Sequence, residues 1–459
     1  MTLRSHHRAV LLTGVLALTA CSDANVGRLT ADVAPTPRKM TVWLTEEGID
    51  AETAAGLAAV GVDQLAVHRG EILLSGKAPV VQLLPSPRIE GPIPNAVVLG
   101  IPQSIPAGSD DAADAVWGAL ERDFGQRLPS EIILDLPELG DGTSGFVSRL
   151  ARQSGLAVIP FLRVSQIGTQ LGQAVAKAAH RCIVPLFGAQ EADLRGLGDL
   201  DNQPLSVRLA PLRDLGVRVR VGLSLRPRTE PEVDGWAEDI DALTDEAAAE
   251  IKRASTLDRS FLTKRPLTWG GRSFGAGQTI AVAWMDTARL GSYLVESHRT
   301  ILPELDGWDL VSLPPVGPNL GLEREELIRY FGGEGPAPKI EVWLEHTGRD
   351  LTVRLGNPSV FRSAITGVAN WVQVEVTSGA LVATSRGSFD RVILGSMDRG
   401  EWSPNPTGGP DAVRFVETYI APGEELQTGP IRLPSTRSKT TVRWQVQLSD
   451  GSTISGIAE

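Results

Sequence analysis

What most constrains this chain is an alternation. From Lys39 to Leu313, short apolar runs of strand character trade places with stretches of helical spacing. Thr41–Leu44, Gln64–Val67, Glu131–Leu136, Ala157–Leu162, Arg181–Leu186 and Val217–Leu223 read as strands, and Pro79–Leu84 and Asn95–Ile101 compete for third place. Thr279–Met285 and Asp309–Leu313 complete the series. Helical spacing lies between them at Ala51–Val60, Asp110–Phe124, Gly145–Gln153, Thr169–Ala179, Pro211–Leu215 and Ala288–Ile301. In Asp110–Phe124, Ala112, Val116, Trp117 and Leu120 share one face behind two N-terminal acids. A βα alternation builds a largely parallel sheet covered by helices. About eight strands over roughly 290 residues predict an α/β fold of the (β/α)8 TIM-barrel type. A doubly wound open sheet is the alternative, but no glycine-rich dinucleotide turn follows the first strand.

Residues 224–278 interrupt the pattern with an acidic segment predicted helical (Glu238–Ala254) and the glycine-rich loop Thr263–Gly277. An insertion after a barrel strand is either a lid over the catalytic face or a surface excursion. The loop lacks Gly-Lys-Ser/Thr, so it is not a phosphate loop, and no Gly-x-Ser-x-Gly elbow exists. Gly332–Pro338 is a linker by composition. Only strand-like runs follow it, predicting an all-β immunoglobulin-like sandwich. The expected arrangement is a signal peptide at 1–20, a lipidated tether at 21–38, a barrel at 39–334 with the insertion 224–278, and a β-sandwich at 335–459.

The N-terminus supports that first assignment. Arg4 and Arg8 precede an apolar run from Ala9 to Leu18, which is of signal-peptide length and too short to span a bilayer. It ends in Leu18-Thr19-Ala20-Cys21, which resembles the lipobox of bacterial lipoproteins, in which the cysteine carries lipid. Ser22 after the cysteine resembles an outer-membrane sorting pattern. The expected location is the bacterial cell envelope, with the membrane as partner through the anchor. The net charge of −11 argues against nucleic acid as a partner, because polyanions need a basic face. With Cys21 lipidated, Cys182 is left alone in an apolar run and reads as a buried thiol. No HxxxH or CxxC spacing points to a metal, and no motif points to a cofactor.

Strand alternation then assigns faces. In Glu131–Glu138, Ile132, Leu134 and Leu136 share the helix-facing side, so Asp135 points into the barrel near the C-terminal end of its strand. That end carries the active site in barrel enzymes. By the same parity Trp43, Gln64, His68, Arg218 and Arg220 face inward, and Arg163 follows the fifth strand. Two readings stay open. In one, Asp135 and Glu138 are acid/base residues, Trp43 is a sugar platform, and Trp43, His68, Arg163, Arg218 and Arg220 bind a glycan or an anionic small ligand. In the other, a non-catalytic lipoprotein neutralises Asp135 with Arg218 or Arg220 in a structural ion network. A glycosidase needs a second carboxyl, for which Glu46, Glu71 and Asp286 are candidates, with Glu47 a further loop acid. Trp269 and Trp284 are the aromatics available in or near the insertion.

Several segments resemble the bacterial domain-of-unknown-function 3142 family: Val42-Trp43-Leu44, Gln64–His68, Ile132-Ile-Leu-Asp-Leu-Pro137, Leu156–Arg163, and Ile420–Glu425 leading to Ile431-Arg-Leu433. The resemblance implies an exported, barrel-like protein. That family commonly carries an acid, a hydrophobic residue and a second acid on the fourth strand. Here Asp135 matches the first acid and Pro137 replaces the second.

Overall fold

The computed structural model describes residues 39–458 apart from 186–204, 232–247, 254–257, 295–304, 315–321, 405–408 and shorter internal stretches. The expected signal peptide, Cys21 and the tether therefore lie outside the described residues, as do Glu46, Glu47 and Trp284. Among the described residues, no helix is long and apolar enough to cross a membrane, and no group of His, Cys, Asp and Glu is placed to hold a metal ion.

Eight parallel strands close into a barrel: β1 (Lys39–Leu44), β2 (Gln64–Leu73), β4 (Asn95–Gly100), β5 (Glu131–Asp135), β6 (Ala157–Phe161), β7 (Arg181–Pro185), β8 (Arg218–Ser224) and β15 (Leu305–Val311). Closure is explicit, because β1 pairs in parallel with both β2 and β15. Helices α1 (Ala51–Ala59), α2 (Asp110–Phe124), α3 (Thr143–Ser154), α4 (Gln170–Ala179) and α5 (Leu205–Asp214) lie between strands. Asp50 caps α1 by accepting from the Thr53 amide, and Thr169 caps α4 by accepting from the Gly172 amide. The helix-facing sides of the strands, such as Val42, Leu65, Val97, Ile132, Leu134 and Val221, are fully buried or nearly so. At ~25 cal/mol per Å² of apolar area, this double-sided burial supplies the main driving force for closure.

One open choice is settled and two assignments change. The third barrel strand is Asn95–Gly100. Val80–Leu83, here β3, pairs antiparallel with the end of β2. The eighth strand is Leu305–Val311. Thr279–Ala283, here β14, instead joins β9 (Arg228–Glu230), β10 (Ala248–Arg253) and β11 (Asp258–Thr263) in a four-stranded antiparallel sheet. Ala248–Arg253 is therefore a strand, not the end of a helix, because its backbone pairs with β11. The glycine-rich loop forms the hairpin β12 (Leu267–Trp269) and β13 (Arg272–Phe274). Its two-residue turn, Gly270-Gly271, has both φ values positive (55° and 75°), as a type I′ turn requires.

The chain divides into two compact units. The first runs to Leu225 and adds Leu290–Leu313 and Leu327–Gly335. The second comprises Arg226–Arg289, Pro314–Glu326 and Pro336–Glu459. The insertion thus belongs with the C-terminal strands rather than with the barrel. Those strands form two antiparallel sheets. One contains β16 (Glu341–Thr347), β17 (Asp350–Gly356), β19 (Val382–Ala383), β23 (Glu425–Gln427) and β24 (Ile431–Arg432). The other contains β18 (Asn370–Val376), β20 (Arg391–Asp398), β21 (Glu401–Pro404), β22 (Ala412–Glu417), β25 (Thr440–Gln447) and β26 (Thr453–Ala458). Leu351, Val353 and Leu355 of one sheet share a buried core with Val372, Val374 and Phe415 of the other, which makes the pair a sandwich.

Candidate functional site

The barrel interior is layered. Its N-terminal half holds an ion network around Arg220, which is 1% exposed. The Arg220 guanidinium donates to both oxygens of Asp309, to Glu131 and to Thr41 Oγ1. Lys39 Nζ reaches the other Glu131 oxygen at 2.6 Å, and Trp43 Nε1 donates to Asp309 Oδ1 at 2.7 Å. Thr41 in turn donates to Gln64, which donates to Ser130. Burial pushes Glu131 up, but Arg220 and Lys39 together outweigh it and hold its carboxyl below the ordinary range. Above the network lies an apolar layer of Ala66, Ala96, Val98, Ile133, Ile159 and Ile183, on which Trp43 and Phe161 pack.

Asp135 stands apart from that network. It ends β5 at the C-terminal mouth, half-buried, and its carboxyl makes no hydrogen bond among the described residues. Burial raises its pKa, against the pull of the nearby Arg163 and His68 charges. The result is a carboxyl with a raised pKa at the C-terminal mouth of the barrel. Phe161 is its register neighbour on β6, and the Phe161 ring lies 5.3 Å from that of Trp43. Arg163 follows β6 and makes no salt bridge among the described residues.

On its other side Asp135 borders a glycine. Its partner on β4 is Gly100, and the partner of Gly100 on β2 is Glu71. A Cβ on Gly100 would lie 3.5 Å from Glu71 Cγ and 4.0 Å from His68 Nε2. Glu71 and His68 therefore flank the space above a residue that has no side chain. By plain alternation they should point to opposite faces. A β-bulge between His68 and Gly70 inserts Arg69 and restores Glu71 to the inward face.

The predicted residues thus separate. Asp135, His68 and Arg163 come together at the mouth, with Trp43 half-buried on the apolar layer. Glu138 is exposed on the loop after β5. Arg220 is spent in the buried network. Arg218 is 64% exposed at the start of β8, where it pairs with Asp306 at 3.3 Å. Neither arginine faces a ligand space, because the inward parity that selected them does not distinguish the two ends of the barrel. Asp286 belongs to the second unit and accepts from the Arg289 amide at a helix start. Trp269 is buried beside the hairpin turn. Cys182 is fully buried, and burial pushes its thiol up to about 12, so it is inert as a nucleophile. Glu131 and Asp309, the true partners of Arg220, stand at the starts of their predicted strands, where nothing in the sequence singled them out.

No family model and no curated protein matches the chain. Among solved structures, a GH30 endoxylanase from Clostridium papyrosolvens is similar at 8% identity over 85% of this chain and 96% of that one, with a TM-score of 0.31. A cycloisomaltooligosaccharide glucanotransferase from Paenibacillus is similar at 8% identity over 86% and 85%, with a TM-score of 0.32. A xylanase and α-amylase inhibitor protein from Scadoxus multiflorus is similar at 12% identity over 41% and 80%, with a TM-score of 0.30. Likeness at this level says nothing of activity, and the barrel assignment stands on strand order and closure.

Proposed function

We propose that this protein is a lipid-anchored protein of the bacterial cell envelope whose barrel binds and hydrolyses a glycan, with Asp135 as general acid. One observation carries the reading: the inward acid at the catalytic end is not the counter-ion of the buried arginine. Arg220 is balanced by Glu131 and Asp309, which leaves Asp135 half-buried at the barrel mouth with its pKa raised. A carboxyl whose pKa burial raises suits proton donation to a glycosidic oxygen as the C1–O bond breaks. The half-buried rings of Trp43 and Phe161 suit stacking against sugar faces, and Arg163 suits an anionic substituent on the glycan. The second reading, a binding lipoprotein without catalysis, is supported by the ion network, since most of the charge inside this barrel is structural.

The test is Asp135→Asn, assayed on 4-nitrophenyl glycosides and by reducing-end release from peptidoglycan sacculi, xylan and polygalacturonate. The expected outcome is an unchanged melting temperature with turnover reduced about 10²–10⁴-fold. A folded variant that keeps wild-type turnover removes Asp135 as the acid. Binding of these glycans with no cleavage by the wild-type protein selects the second reading.

A further inference from the structure

The general acid above implies a partner carboxylate, and the geometry points to one that no motif marks. We infer that Glu71 is the second catalytic carboxyl, aimed into the barrel by the β-bulge at Arg69 and acting as the base that activates water. The inference rests on the glycan-hydrolase reading of Asp135.

Register supplies the placement. Glu71, Gly100 and Asp135 are consecutive partners on β2, β4 and β5, so the two acids stand two strand spacings apart, about 10 Å between Cα atoms. Both side chains lie on the concave face, which brings the carboxyls closer than the Cα atoms. A separation just under that Cα spacing fits the range in which inverting glycosidases hold a water between two carboxyls, ~6.5–9.5 Å. Gly100 puts no side chain between them, and a Cβ there would touch Glu71 Cγ at 3.5 Å.

The bulge that aims Glu71 is built rather than incidental. Arg69 turns outward, bonds Asp123 at 2.8 Å and lies over the Phe124 ring. The Arg69 carbonyl accepts the Leu84 amide at 2.8 Å, a bond from the β3 side instead of from β4. Gly70 follows at φ 131°, where any Cβ would meet the Gln82 carbonyl oxygen at 1.9 Å. Were Arg69 paired in plain alternation instead of bulged, Glu71 would face the helices and Gly70 would take its place at the mouth.

The chemistry balances as a hydrolysis. Asp135 gives its proton to the glycosidic oxygen, which leaves with the C1–O bonding pair. Water adds through its oxygen to C1 from the opposite face and gives a proton to Glu71. Exchange with solvent returns each carboxyl to its starting state. The product has the inverted anomeric configuration.

The test compares the wild-type protein, Glu71→Gln, Glu71→Ala and Asp135→Asn on the same glycoside and polysaccharide probes, with circular dichroism and thermal melts as fold controls. Glu71→Gln is expected to lose at least 100-fold in turnover with an unchanged melt, since an exposed side chain carries little stability. Added azide is expected to restore turnover of a 4-nitrophenyl glycoside by Glu71→Ala, giving a glycosyl azide of inverted configuration. Proton NMR of the wild-type reaction is expected to show the inverted anomer first. If Asp135→Asn is inactive while Glu71→Gln stays within threefold of wild type, the role of Glu71 is overturned and that of Asp135 stands. A retained anomer overturns the water-activating role. If the wild-type protein cleaves none of the probes, both assignments fall.

Discussion

At the residue scale, the decisive side chain is Arg220. A guanidinium this deeply buried is tolerated only because Asp309, Glu131 and Thr41 satisfy it. Removing one member of such a cluster strands the others in a low-dielectric interior, which costs about 3–5 kcal/mol. Arg220→Met is therefore expected to lower the unfolding free energy of the barrel by about that much, read by urea denaturation. Asp135→Asn is expected to cost far less, because no arginine is left unpaired. Equal losses from the two variants would mean that Asp135 belongs to the network after all.

At the element scale, the end of β2 does the positioning. Its first residues obey simple alternation, with Gln64, Ala66 and His68 inward and Leu65 and Val67 outward. One inserted residue then shifts the parity. Gly70→Ala would place a methyl group against the Gln82 carbonyl at a φ that L residues avoid, a strain of about 1–3 kcal/mol. The expected outcome is faster hydrogen exchange at the Leu84 amide together with lost turnover, as β3 and the bulge loosen. Gly100→Ala meets nothing closer than 3.5 Å and is expected to fold normally. Gly100→Leu is expected to abolish turnover, because its side chain must displace those of Glu71 and His68, which a Cβ there already touches.

At the scale of the whole molecule, the second unit carries its own buried acids. Arg362 pairs at 3.1 Å with both Glu323 and Glu326, tying the sandwich to the segment Pro314–Glu326. Burial pushes Glu326 up to about 7 despite Arg362, and burial with the neighbouring Asp390 pushes Glu417 up to about 9. Both carboxyls hold protons in the folded state that the unfolded chain releases above its ordinary range. Their contribution to stability is therefore full at about pH 4 and falls as pH rises to about 9. Glu417→Gln is expected to flatten that decline in urea titrations at pH 5, 7 and 9. An unchanged slope would remove Glu417 as its source. What the sequence by itself determined was the alternation, the barrel, the sandwich and the inward parity of Trp43, His68 and Asp135, since a period of two is written in local neighbours. Three things were decided only in three dimensions. The two acidic partners of Arg220 each lie 89 residues away, brought to it by the closed barrel. Thr279–Ala283 looked like a barrel strand, but its backbone bonds went to β11 and β9. Glu71 had no motif to mark it, because a bulge is an agreement between two strands on register, and neither strand records it alone.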